Sequence, residues 1–344
     1  MNKEYCIEKS PLYKLRNKQK LAILLGLPNN YFRKVHQYKY SEFYEDKPNG
    51  GKRRINNPEE ELKKIQKKLF KLLNRIEKPI WVISGVKGKS YVDNAKLHQL
   101  SDNICTIDIE QFYDSTKEIY VYNFFKNIMK MSKDVSAVLT KIVTYEGRIP
   151  TGTPTSQLIA FLSYKDIFTK IYEKCKSEEI LFSLYVDDIT LSSNKIIPKK
   201  IKNEINYLLN LKKLNIKKSK TRFYSKKSNK SVTGIIIDHK KQIKLENKKR
   251  KEIIDLYKEC INRETFSIEK LVKLNGKIND ATQVEKNIFP TISAYLKKHQ
   301  KEIKKYNNEQ ANKKRIIKQM IKRKNLNNKN VHWIIFKYII QWTD

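Results

Sequence analysis

Leu181-Phe182-Ser183-Leu184-Tyr185-Val186 is an apolar, β-prone run that ends in Asp187-Asp188, and Ile189 to Ser193 continues beyond the two acids. The pattern predicts a hairpin over 181–193 with its charged tip at Asp187-Asp188. Two adjacent carboxylates beside a buried run repel each other and are costly to bury unless a cation holds them. Asp108 lies in a second β-rich run, Asn103 to Ile109. If the two strands lie side by side, three carboxylates converge on one point. Oxygen ligands completed by substrate phosphates are what Mg²⁺ prefers. Two such ions about 3.5–4 Å apart serve in-line phosphoryl transfer. An Asp-Asp pair alone is more often a turn; the apolar run before it and the matching Asp108 strand make it a candidate metal site.

Around this centre the pattern is mixed. Gln157 to Lys176 reads as a helix opening just after Pro154-Thr155-Ser156, and Lys200 to Leu214 as another. Ser231 to Asp238 with Gln242 to Leu245 suggests a second hairpin. Upstream, Leu62, Ile65, Gln66, Leu69, Phe70, Leu73 and Ile76 recur at helical spacing. Before them, Asp46-Lys47-Pro48-Asn49-Gly50-Gly51 forms a turn, and Lys52-Arg53-Arg54-Ile55 runs extended to Pro58. Residues 1–45 read as short helices. From Glu246 onward the chain is helical and very basic. Strands and helices interleave without regular βαβ spacing, so the expected class is α+β.

The 344 residues carry 73 Lys+Arg against 36 Asp+Glu, a net charge of +37. Such an excess calls for a polyanionic partner, most simply nucleic acid; AT-rich coding would supply Lys and Asn, but Asp and Glu as well. Cys6, Cys105, Cys175 and Cys260 lie far apart, which disfavours a disulfide scaffold or zinc ribbon and fits a reducing compartment. The N-terminal residues hold no apolar stretch of signal-peptide length. The apolar run Val331 to Trp342 contains Lys337 and is too short to span a bilayer. The expectation is a cytoplasmic protein with no membrane partner.

Tyr185-Val186-Asp187-Asp188 resembles the YxDD box of reverse transcriptases, and further blocks follow in that family's order. Gly51-Lys52-Arg53-Arg54-Ile55 with Pro58, Leu62 and Gln66 resembles the fingers segment. Asp108-Ile109-Glu110-Gln111-Phe112-Tyr113 resembles the first palm motif, and Pro150-Thr151-Gly152-Thr153-Pro154-Thr155-Ser156-Gln157 the second. Asn94-Ala95-Lys96-Leu97-His98 matches the NAxxH signature of retron reverse transcriptases, and Val232-Thr233-Gly234 their VTG triplet. Together these blocks span residues 40–240.

The resemblance implies a right-hand polymerase: N-terminal helices and fingers over 1–100, palm over 101–240, basic helical thumb over 241–344. It implies that Asp108, Asp187 and Asp188 bind two Mg²⁺ ions, and that Tyr113 lies under the incoming sugar, where its ring would exclude a ribose 2′-OH. Arg53 is expected to grip the triphosphate, and Arg54 and Lys52 the template backbone. Either Lys220 or Lys218 is the late palm lysine suited to protonate pyrophosphate. Tyr185 and Gly152 belong to the substrate site, Gly152 by allowing close backbone approach. Thr151 stands where the family usually has Gln, which shortens reach toward the nucleotide. For Asn94 and His98, on one helix face, the resemblance implies contact with the structured RNA or positioning of the template, and for Val232, Thr233 and Gly234 a role near primer or RNA recognition. Taken alone, a helix cap with a surface histidine and an ordinary strand start account for these two blocks. Trp333, Phe336, Tyr338 and Trp342 form either a packing face or a stacking surface.

The activity implied is RNA-directed DNA synthesis from dNTPs. The template would be one cognate structured non-coding RNA (msr-msd type), and priming would come from a 2′-OH of that RNA. The implied setting is antiphage defence, with the DNA product and a separate effector protein as further partners. Other bacterial reverse transcriptases, or a non-catalytic RNA-binding relative, are the alternatives.

Overall fold

The computed structural model describes residues 4–33, 37–47 and 50–324. The chain divides into two compact units, one ending at Ile243 and one beginning at Lys244.

The first unit starts with α1 (Lys18–Leu24), capped by the Asn17 side chain on the Gln19 amide. A two-stranded antiparallel hairpin follows, β1 (Tyr40–Asp46) and β2 (Lys52–Pro58). The strand at Tyr40 corrects the expectation of helices throughout 1–45. Almost all of β1 is exposed, so no alternating apolar pattern marks it, and pairing with β2 alone defines it. Next comes α2 (Glu60–Leu73), which buries Leu62, Ile65, Gln66, Leu69 and Leu73 on one face. Ile76 is buried as expected but lies beyond the helix, bridged to Tyr5. α3 (Tyr91–His98) opens with a capping box in which Ser90 and Asp93 exchange hydrogen bonds.

A four-stranded antiparallel sheet forms the centre, in the order β4-β5-β3-β6: β3 (Asn103–Asp108), β4 (Leu181–Tyr185), β5 (Asp188–Ser193) and β6 (Arg222–Tyr224). Side chains alternate across it. Cys105, Ile107, Phe182, Leu184, Ile189 and Leu191 join the main core with α7 (Ser156–Ser177) and α8 (Lys199–Asn210). The opposite face carries Asp108 and Asp188 at one end, then Thr106, Thr190, Ser183 and Ser192. Between β3 and α7 the chain forms α4 (Phe112–Ser115), α5 (Glu118–Asn123) and α6 (Lys133–Val143). The last buries Val135, Leu139, Ile142 and Val143, a helical spacing present in the sequence.

The expected hairpin over 181–193 forms, but its turn is Val186-Asp187 and Asp188 is already in β5. The first arm of the later hairpin is itself folded, β7 (Lys230–Val232) turning at Thr233-Gly234 into β8 (Ile235–Ile237). The expected return at Gln242 also forms, with the Asp238 amide donating to the Gln242 carbonyl at 2.9 Å. A short strand β9 (Ile243–Leu245) ends this region.

The second unit is helical: α9 (Asn247–Ile261), α10 (Ile268–Val284), α11 (Pro290–Lys298) and α12 (Gln300–Lys324). Its own core gathers Ile253, Leu256, Leu271, Leu274, Ile292 and Leu296. Arg250, within the basic run 248–251, pairs with Glu285. Trp333, Phe336, Tyr338 and Trp342 lie outside the described residues. Among the described residues no helix is long and apolar enough to cross a membrane.

Candidate active site

The sheet register brings the three acids together. Asp108 and Asp188 are direct cross-strand partners of β3 and β5. The amide of Ile109 donates to the carbonyl of Asp187 at 3.0 Å, which closes the turn against β3. On the other side the Lys217 amide donates to the Asp108 carbonyl at 2.7 Å, so the segment after α8 is laid along the first strand. That segment carries Lys220, whose Nζ lies 2.6 Å from Asp108 Oδ2. Of the two lysines expected here, Lys220 is the one whose ammonium meets Asp108.

Three carboxylates and one ammonium leave unbalanced negative charge. Burial, then Asp108, pushes the Asp187 carboxyl up from its ordinary value. Burial, then Asp187 and Asp108, pushes Asp188 up to about 7. The hydrogen bond to Asp108 raises Lys220, so that it holds its proton. An all-oxygen donor set destabilised by its own charge fits a hard divalent cation. Among the described residues no group of three or more His, Cys, Asp or Glu side chains stands ready by itself to hold a metal ion. An ion that completes its octahedron with water and phosphate oxygens does not need one.

Tyr113 is half-buried beside Phe112, with ring centroids 5.9 Å apart. Its hydroxyl is pushed up to about 12 by burial and by Asp187, with Arg53 acting in the opposite sense. Arg53 on β2 also acts to lower Asp187, so its charge is felt in the site, and it is exposed. Tyr185, half-buried, is raised by burial and Asp188. A cavity of about 370 Å³ opens beside the turn, lined by Tyr113, Gly152, Gln157, Phe161, Ser84 and Val186 among others.

Two expectations for the hairpin β1–β2 change. Arg54 does not face outward to a template: its guanidinium pairs with Glu146 at 2.8 Å and with Glu42. At Gly152 (φ +104°) the close neighbour is the chain itself, since an added Cβ would lie 2.8 Å from Ile55 Cγ2. The Asn56 amide donates to the Thr151 carbonyl at 2.7 Å. The missing side chain thus lets β2 dock on the turn that lines the cavity.

Asn94 and His98 are both completely buried, which corrects both the surface-histidine reading and direct contact with RNA. Ser183 Oγ donates to Asn94 Oδ1 at 2.6 Å, and Ser101 Oγ to Ser192 Oγ at 2.9 Å. His98 Nε2 lies 2.8 Å from Ser183 Oγ and Nδ1 lies 2.7 Å from Ser192 Oγ. Because Ser183 spends its proton on Asn94, His98 donates from Nε2 and accepts at Nδ1. Burial pushes its pKa down to about 3, so the ring is neutral. Val232 is buried in the β7–β8 hairpin. Thr233 and Gly234 both have positive φ (+47° and +77°), and Thr233 Oγ1 donates to the Tyr91 carbonyl at 3.0 Å. The NAxxH and VTG blocks therefore meet at α3.

The chain matches the family described as Reverse transcriptase (RNA-dependent DNA polymerase) over residues 45–244. It is 32% identical over 231 residues to the Retron Se72 reverse transcriptase of Salmonella heidelberg, covering 64% of this chain and 61% of that protein. It is 29% identical to the Retron Ec86 reverse transcriptase of Escherichia coli, covering 58% and 63%. The chain thus spans about three fifths of the length of these two curated relatives. Apo telomerase from Candida tropicalis aligns with a TM-score of 0.43 at 13% identity, over 61% of this chain and 55% of that one. With the YxDD turn, both palm motifs and the fingers hairpin in one unit, the chain belongs to the reverse transcriptase family and is similar to its retron members.

Proposed function

We propose that the protein is an RNA-directed DNA polymerase that copies part of one structured non-coding RNA, of msr-msd type, into single-stranded DNA. The observation that carries this is the pairing of Asp108 with Asp188 across β3 and β5, with Asp187 at the turn and Lys220 on Asp108. Asp108, Asp187 and Asp188 would hold two Mg²⁺ ions, which when bound supply Lewis-acid activation of the attacking hydroxyl and charge neutralisation on phosphate. Arg53 offsets charge on the triphosphate. Tyr113 walls the sugar and disfavours a 2′-OH. Lys220, kept protonated by its neighbours, delivers its proton to the leaving pyrophosphate. Val232, Thr233 and Gly234 present the β7–β8 hairpin to the RNA, while Asn94 and His98 serve recognition only by holding α3 in place.

The net +37 supports binding of folded RNA through phosphate contacts, with affinity that falls steeply with salt. The retron resemblance supports priming from a 2′-OH and work in antiphage defence beside a separate effector protein. The test is reaction with the cognate RNA, dNTPs and Mg²⁺. The expected product is DNA joined to RNA through a 2′,5′ bond that debranching enzyme cleaves. A conventional 3′ junction would overturn the priming mode, and absence of DNA would overturn the polymerase reading.

A further inference from the structure

Val186, the residue before Asp187 and Asp188, has φ +60°. For a β-branched residue this left-handed conformation is disfavoured and persists only where surroundings impose it. The surroundings are a segment of the chain that runs along the edge of β4. The Leu184 amide donates to the Trp81 carbonyl at 2.9 Å and the Ile83 amide to the Leu184 carbonyl at 3.0 Å, a parallel bridge centred on Val82. Continued by one step, that ladder would bond the Val186 amide to the Ile83 carbonyl. Instead the Val186 amide donates to Ser84 Oγ at 2.8 Å. A side chain replaces the backbone acceptor at the point where the chain leaves the strand to form the turn.

We propose that Ser84 is a positioning residue for the catalytic turn: its hydroxyl holds Val186 in the left-handed conformation that aims Asp187 and Asp188 across from Asp108. Three features make this site suited to the task. Ser84 is only 8% exposed, and the flanking Trp81, Val82 and Ile83 are buried, so its position is fixed by packing. Gly85 follows with φ +66°, and an added Cβ there would lie 3.0 Å from Gln157 Nε2. Gly85, with no side chain and a positive φ, offers the turn no such acceptor, so the hydroxyl of Ser84 serves it. Finally, the turn carries mutually repelling carboxylates, so without an acceptor the Val186 amide would have both strain and repulsion to relax by rotating. Ser84 touches neither substrate nor metal in this account; it acts through the backbone of Val186.

The inference rests on the polymerase reading, and its test separates the two. Ser84→Ala is expected to melt close to wild type but to lower kcat for DNA synthesis about tenfold, with the KM for dNTP little changed. The Mg²⁺ concentration for half-maximal rate should rise, and Ser84→Thr, which keeps the hydroxyl, should recover most of the rate. Amide exchange at Val186, read on the protein without substrate, should accelerate at least tenfold in Ser84→Ala and remain slow in Ser84→Thr. Unchanged exchange and unchanged kcat in Ser84→Ala would overturn the proposal, as would equal impairment of the alanine and threonine variants. If wild type makes no DNA, the polymerase reading fails while the exchange measurement still decides the role of Ser84.

Discussion

Asp108 and Asp188 sit opposite one another at one end of a face of the central sheet; Ser183 and Ser192, on that face of β4 and β5, are locked at the other end by Asn94 and His98. Both ends are polar in strands whose other face is mostly apolar, with Asn103 paired to Ser193 at its margin. At the His98 end each hydroxyl finds a neutral partner, and burial removes the only possible charge. At the aspartate end charges remain in excess of partners, and burial raises them instead. The same desolvation thus drives a base down and an acid up. The structural cluster is neutral and pairs its hydroxyls and ring nitrogens internally, with the buried Asn94 Nδ2 left over, whereas a candidate site leaves its charges to be completed from outside.

The comparison breaks first at Asp188. Asp188→Asn should lower DNA synthesis by ~10³-fold or more while leaving the fold intact. A carboxyl raised from 3.8 to about 7 binds its proton more tightly folded than unfolded. Native stability therefore falls as pH rises from about 4 to 7. The amide of the Asp188→Asn variant does not titrate and has no such dependence, so thermal melts should show the variant gaining on wild type toward pH 8.

His98→Ala should do the reverse. It leaves Ser183 and Ser192 short of a partner inside a cavity, at a cost of about 3 kcal/mol, with kcat per folded molecule largely kept. His98 lowered from 6.5 to about 3 favours the native state above pH 6.5 and loses that contribution as pH falls toward 3. Denaturant titrations across pH 4–7 should therefore show opposite changes of slope in the two variants. A parallel response would dissolve the distinction between the ends.

Lys220→Gln tests the edge of the charged end. Loss of the proton donor and counter-ion should slow synthesis by about 10²-fold, with a smaller deficit at low pH, measured in single-turnover incorporation. The smallest effect belongs to Gly234→Ala. At φ +77° it should cost about 1 kcal/mol in chemical denaturation, and it sharpens the view that the VTG hairpin is first a turn.

Much of the aspartate end was legible in the sequence because its signal is local. Two apolar runs, each with an acid at its end, specify strands, faces and convergence without knowledge of the rest. The His98 network was not legible, since it joins residues 85–94 positions apart and a histidine carries no sign of its burial. One trace was there: Ser183, Thr190 and Ser192 recur on a single face of largely apolar strands, which asks for a polar neighbour. Arg54 misled for a related reason, because Glu42 and Glu146 approach it only after folding. Lys220 was separable from Lys218 only once the Lys217 amide bonded the Asp108 carbonyl. Ser84 was invisible, since its partner is a backbone amide.

The most direct measurement is primer extension on the cognate RNA by wild type and Asp187→Asn, with melting temperatures recorded on the same samples. The account predicts DNA from wild type, essentially none from the variant, and a variant that melts no lower. Undiminished synthesis by a folded Asp187→Asn protein would contradict it.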